Sequence, residues 1–255
     1  MTTRLLSLCL LLIIAAGCRS ARPDTIAQVA TIDALLAGSY DGHMSCREML
    51  GHGDFGIVTF DKLDGEMVVL DGVVYQVKAD GSVHQPSGEL TTPFAAVNHF
   101  VTDQTLPLQS LPDMAALTAQ IDAAVPNPNV LVALRIHGTF TSIRCRSVPA
   151  QEPPYPPLAE VVPHQGVFDY EQIAGTLVGY RLPTFVKGVN VPGYHLHFLS
   201  DDRQRGGHVL AVATGSAQAE IDICQRLLLI LPDSDALQDL DLTRDRADEL
   251  EKVEK

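Results

Sequence analysis

The chain has 255 residues, enough for one large domain or two small ones and for a sizeable core. Its 46% hydrophobic and 19% charged residues are ordinary globular composition and exclude disorder as the main state. Eighteen Lys and Arg against 31 Asp and Glu give a formal charge of -13, which argues against a nucleic-acid partner and against adsorption to an anionic leaflet through a basic patch.

Residues 1–18 read MTTRLLSLCLLLIIAAGC, with Arg4 ahead of an apolar run from Leu5 to Ala16. That run is too short to cross about 30 Å of hydrocarbon as a helix, and it has the length of an export signal's apolar region. Its end, Ala15-Ala16-Gly17-Cys18, resembles a bacterial lipobox. The expectation is a signal peptide over 1–18, a lipid anchor at Cys18 and a tether over 19–25. The chain is then a periplasmic or membrane-anchored lipoprotein, or a free secreted protein if cleavage is of the ordinary kind.

Beyond the tether, apolar spacing predicts a helix over Ile26–Leu36, stopped by Gly38. Strands follow at Ile57–Phe60, Glu66–Leu70 and Val73–Val77, joined by the Asp64-Gly65 and Asp71-Gly72 turns. Pro112–Ala124 reads as a helix, and Val130–Ile136 and Gly138–Arg144 as two strands. Val148–Pro163 holds six prolines in sixteen residues, so it reads as an extended connector. It divides the chain into an N-terminal α/β part, 26–150, and a β-rich part, 151–255. Further strands are expected at Gly175–Arg181, Gly193–Leu199, Gly207–Ala213 and Ile221–Leu231, with a weak helical pattern in the tail around Leu242, Leu250 and Val253. Cys46, Cys145 and Cys224 show no paired spacing and read as small buried apolar residues.

The chemistry concentrates in Pro192-Gly193-Tyr194-His195-Leu196-His197-Phe198-Leu199. Strand residues two apart share a face, so His195 and His197 project together while Tyr194, Leu196 and Phe198 pack the other way. A polar turn ending in Gly206-Gly207 leads to His208, which a hairpin returns beside the pair. Three imidazoles on one face form a divalent-metal site with an open position, the arrangement of catalytic rather than structural sites. The other histidines (His43, His52, His84, His99, His137 and His164) stand singly and read as incidental. Two spots are weaker on their own. Glu66 follows a tight turn, where a Glu is more commonly solvated. Arg144 and Arg146 share a face by strand period, where a surface ion pair is the plain alternative.

Together these pieces resemble the alpha-acetolactate decarboxylase family. The matching stretches are T-F-D-K-L-D-G-E-M-V at 59–68, T-P-F-A at 92–95 and G-T-F-T-S-I-R-C-R-S-V-P-A-Q-E-P-P-Y-P-P-L at 138–158. They continue with G-T-L-V-G-Y at 175–180, N-V-P-G-Y-H-L-H-F-L-S-D-D at 190–202 and G-G-H-V-L at 206–210. The resemblance implies a metal-dependent enzyme that converts 2-acetolactate to (R)-acetoin and carbon dioxide, for acetoin and butanediol biosynthesis. It implies zinc on His195, His197 and His208, with Glu66, Arg146 and Glu254 as the active-site residues. Glu251 lies one turn from Glu254. The implied fold is α+β in two parts, a mixed sheet and a smaller, mainly antiparallel sheet, with the metal in the cleft and a homodimer as the assembly.

Two other readings compete. A cupin-like metalloenzyme also places H-x-H on a strand, but it adds a Glu soon after the pair and a final His much further on. An exported metal-binding lipoprotein gives no reason for Glu66 and Arg146.

Overall fold

A computed structural model describes residues 24–238 and 240–254. The expected export signal, Cys18 and most of the tether lie outside the described residues.

The strands in chain order are β1 (Thr25–Val29), β2 (Met44–Ser45), β3 (Phe55–Thr59), β4 (Glu66–Leu70), β5 (Val73–Val77), β6 (Val83–His84) and β7 (Thr91–Thr92). They continue as β8 (Ala95–Asn98), β9 (Gln104–Gln109), β10 (Leu131–Ser147), β11 (Gly166–Leu182), β12 (Gly193–Ser200), β13 (Gly206–Cys224) and β14 (Arg226–Ile230). The helices are α1 (Ile32–Leu36), α2 (Cys46–Met49), α3 (Met114–Ala124), α4 (Leu158–Val161), α5 (Ser234–Leu237) and α6 (Ala247–Glu254).

Seven strands form one sheet in the order β14-β1-β8-β3-β4-β5-β6. It is mixed, because β1 runs parallel to β14 and antiparallel to β8. Five strands form an antiparallel sheet in the order β10-β11-β12-β13-β9, and β10 also pairs with β13, so its four long strands close on themselves. One apolar core joins the two sheets, with Ile57, Val68 and Ala96 against Ala133, Val178 and Leu199. A second fills the closed strands under α3 with Leu134, Phe140, Leu177, Leu196 and Phe198. The mixed sheet and the smaller antiparallel one are those the sequence implied.

Several local expectations change. Ile26–Val29 is strand, not helix: β1 has a partner on each side and is buried along its length, so it carries no polar face to mark its period. The helix starts only after Thr31, whose side chain caps it by accepting from Ala34 N. The two strands expected at 130–144 are one, β10, which absorbs register shifts around Gly138 and Phe140. A side chain at Gly138 would meet the Ser216 carbonyl at 2.4 Å, so only glycine permits that approach. The run Ile221–Leu231 is broken at Gln225, where the amides of Gln225 and Arg226 both donate to the Asp24 carbonyl. β13 ends there and β14 crosses to the other sheet. The proline-rich stretch is not wholly extended, because it contains α4. The division between sheets does not follow that stretch: β9 and β10 precede it yet pair with β11–β13, and β14 follows it yet pairs with β1.

Cys46, Cys145 and Cys224 are free and buried, as expected.

Candidate active site

The site lies where the closed strands meet β4 of the mixed sheet. His195 and His197 project from β12, and His208 stands directly opposite His197 on β13. Their partners on the alternate face, Leu196 and Phe198, enter the second core. The strand period and the hairpin return therefore act as the sequence predicts. All three imidazoles are buried, and one nitrogen from each lies within 4.8 Å of the others. His195 Nε2 is 3.1 Å from His208 Nδ1.

The rings are held neutral. Burial lowers the His195 pKa to about 3, with Arg146 adding to the effect. Burial likewise drives His197 and His208 well below the ordinary histidine value. His197 Nδ1 donates to the Met67 carbonyl at 2.7 Å, which leaves the Nε2 lone pair free. That Nε2 is buried and has no hydrogen-bond partner in the protein. A neutral imidazole with its second nitrogen pinned by a backbone carbonyl is a prepared ligand. The orphaned Nε2 and the donor set fit a divalent cation, since three neutral nitrogen ligands converge.

Glu66, the first residue of β4, is buried rather than solvated, at 5% exposure. Its Oε1 accepts from Arg146 Nη1 at 3.2 Å and its Oε2 lies 3.5 Å from His197 Nε2. Burial raises its carboxyl to about 7, against the lowering influence of Arg146. Arg146 comes from β10, opposite His208. Its Nη2 donates to the Val253 carbonyl at 3.1 Å, and its buried Nε has no partner in the protein. Arg144 shares this strand face, since Ile143 and Cys145 both enter the second core, but it lies at the surface and pairs with Asp169 at 2.9 Å.

Glu254 arrives on α6. Its Oε2 lies 3.8 Å from Nε2 of both His195 and His208, and burial raises its carboxyl to about 7. Glu251, one turn earlier, is exposed. All six residues singled out from sequence therefore meet in one place, and five of them, all but His197, line a narrow cavity of about 30 Å³. Among the described residues no other histidine joins a metal-binding cluster. Sequence reasoning missed the carbonyls of Met67 and Val253, which any residue type could supply. It also missed the apolar wall of the cavity, Val58, Leu63, Phe94 and Leu158, whose residue types carry no functional signal.

Fold and site define an α+β protein of two packed sheets around a buried three-histidine centre that could hold a metal ion. The sequence profile of the alpha-acetolactate decarboxylase family matches residues 26–244. The alpha-acetolactate decarboxylase of Methanosarcina mazei is 47% identical over 232 residues, covering 91% of this chain and 81% of that protein. That of Methylococcus capsulatus is 41% identical, covering 89% and 87%. The crystal structure of alpha-acetolactate decarboxylase from Bacillus subtilis strain 168 superposes with a TM-score of 0.88 at 34% identity, over 90% of this chain and 99% of that one. The chain belongs to the alpha-acetolactate decarboxylase family, a family of carboxy-lyases.

Proposed function

We propose that this chain decarboxylates 2-acetolactate to (R)-acetoin and carbon dioxide, in acetoin and butanediol biosynthesis. One zinc ion is held by His195, His197 and His208. The observation that carries the reading is the meeting of three neutral imidazoles, one buried guanidinium with a free donor, and two carboxyls that line the same cavity. A cupin-like enzyme or a metal-carrying lipoprotein would leave Arg146 and both glutamates without work. In the same reading the chain is exported, anchored through Cys18 and a homodimer.

Loss of carbon dioxide breaks a carbon–carbon bond and leaves its electron pair with the neighbouring ketone. A divalent ion supplies Lewis acidity for the negative charge that develops on the substrate oxygens. The imidazoles stay uncharged, so they do not dilute that positive charge. Arg146 offers its unpartnered Nε–H to the substrate carboxylate and holds the breaking bond in one orientation. Arg146 is itself fixed by Glu66 and the Val253 carbonyl. Glu66 and Glu254 are the two carboxyl groups beside the imidazoles that can carry the proton, and delivery from one side yields one enantiomer.

The test is the reaction itself. Metal-loaded chain incubated with racemic 2-acetolactate should yield acetoin with an excess of the (R) form over the racemic uncatalysed background. Racemic acetoin at the background rate, from chain carrying one metal per protomer, would overturn the proposal.

A further inference from the structure

Arg146 and Glu66 belong to different sheets and lie 80 residues apart, so their mutual position depends on how the two sheets dock. Beside the pair lies a buried hydroxyl that does not line the cavity. Ser147, the last residue of β10, is 0% exposed, and its Oγ donates to the Val77 carbonyl of β5 at 2.7 Å. A hydroxyl so deeply buried carries a desolvation cost that its hydrogen bond has to offset.

The acceptor is itself held in place. Val77 is fully buried and lies directly opposite Glu66 in the pairing of β4 with β5. Gly65, just before Glu66, has φ 88°, and a side chain there would run into the Val77 carbonyl. Only glycine permits that approach, so the turn into Glu66 is seated on the same carbonyl that Ser147 holds. Four links then close a ring. Ser147 follows Arg146 in the chain, Ser147 bonds to Val77, Val77 pairs with Glu66, and Glu66 accepts from Arg146 at 3.2 Å. In a closed ring each link constrains the one across from it, and the Ser147–Val77 bond stands across from the Arg146–Glu66 pair. We propose that Ser147 is a positioning residue for the decarboxylation that acts through Arg146. Its bond to Val77 sets where Arg146 stands against Glu66, and so the direction in which the free Nε–H meets the substrate carboxylate. The inference rests on the decarboxylase reading above and extends it to the group that aims the arginine.

The experiment measures kcat/KM for 2-acetolactate, together with metal content, on wild type, Ser147→Ala and Ser147→Cys, each also in an Arg146→Lys background. Cysteine nearly keeps the volume of serine but is a weak donor, so it separates the bond from the packing. Both substitutions should lower kcat/KM about tenfold or more, the scale on which a small misplacement of a positioning group is felt, with metal near one per protomer. With lysine at position 146 no planar fork is left to aim, and the same substitutions should then cost less than about twofold. Equal losses in both backgrounds would mean that Ser147 acts through the fold at large, and would overturn the proposal. A metal-loaded Ser147→Cys enzyme within about twofold of wild type would overturn it too, as would activity that falls only in step with lost metal in both variants. If wild type does not turn over 2-acetolactate, the decarboxylase reading fails and this inference fails with it.

Discussion

Replacing Glu66 by Gln in the metal-free protein should stabilise it at alkaline pH relative to acid pH. Burial lifts the Glu66 carboxyl from 4.5 to about 7, and neighbouring Glu254 adds to the rise that Arg146 opposes. A carboxyl whose folded value is raised favours folding fully below its unfolded value of 4.5. That contribution is lost as pH rises through about 7, because ionisation is then forced on a buried group. The rise from 4.5 to about 7 corresponds to about 3 kcal/mol. Gln has the shape of the protonated acid and does not ionise. The stability difference between Glu66→Gln and wild type should therefore shift by about 3 kcal/mol in favour of the variant between pH 4.5 and pH 8. In a chain of this size that is a shift of roughly 6–12 °C in Tm. Thermal unfolding of both chelator-treated proteins, followed by circular dichroism across that range, measures it. The buried histidines act in the opposite sense, since their lowered values contribute stability above 6.5 that is lost as pH falls. They are present in both proteins, so most of their contribution is removed in the difference, His197 beside Glu66 excepted. A difference that stays constant with pH, or that favours wild type at pH 8, would refute the reasoning. Restoring the metal should abolish the alkaline advantage of the variant, because a neighbouring cation favours the ionised carboxylate.

His195→Ala, His197→Ala and His208→Ala should each strip most of the bound metal along with activity, as read by metal analysis of the purified variants; near wild-type metal in any one would remove that residue from the ligand set. Arg146→Lys keeps the charge but loses the planar fork, so turnover should fall severely while metal content stays near one per chain. A fully active lysine variant would reduce Arg146 to an ion pair with Glu66. Of Glu66→Gln and Glu254→Gln, the one that removes the proton donor should slow turnover by roughly 10²–10⁴-fold and yield acetoin of reduced enantiomeric purity. The other should be slowed with the (R) product preserved, and chiral chromatography separates the two outcomes. Exposed Glu251 serves as the control, and a Glu251→Gln variant that behaves like a donor knockout would show that α6 is placed one turn wrong.

Sequence alone determined the features that depend on local period and turn chemistry. The Asp64-Gly65 and Asp71-Gly72 turns bound β4 and β5 at the residues expected, Glu66–Leu70 and Val73–Val77. The alternation of β12 and the polar turn after it put three imidazoles on one face, because a strand's two-residue repeat is short and repeats without outside help. Tertiary structure decided everything that depends on what covers a residue. β1 looked helical because a strand buried on both faces shows no period. Arg144 and Arg146 read as equivalents in sequence, and only what packs over each of them separates the exposed Arg144, paired with Asp169, from the buried Arg146. Glu66 is an ordinary turn glutamate in sequence, and it becomes a buried acid only because Arg146, 80 residues away, and α6 close over it. The tautomer of His197 depends on a backbone carbonyl 130 residues away, and its neutrality on burial. Facing is a local property of the chain, whereas burial, and with it every shifted proton affinity in this site, is created only when separate elements exclude water together.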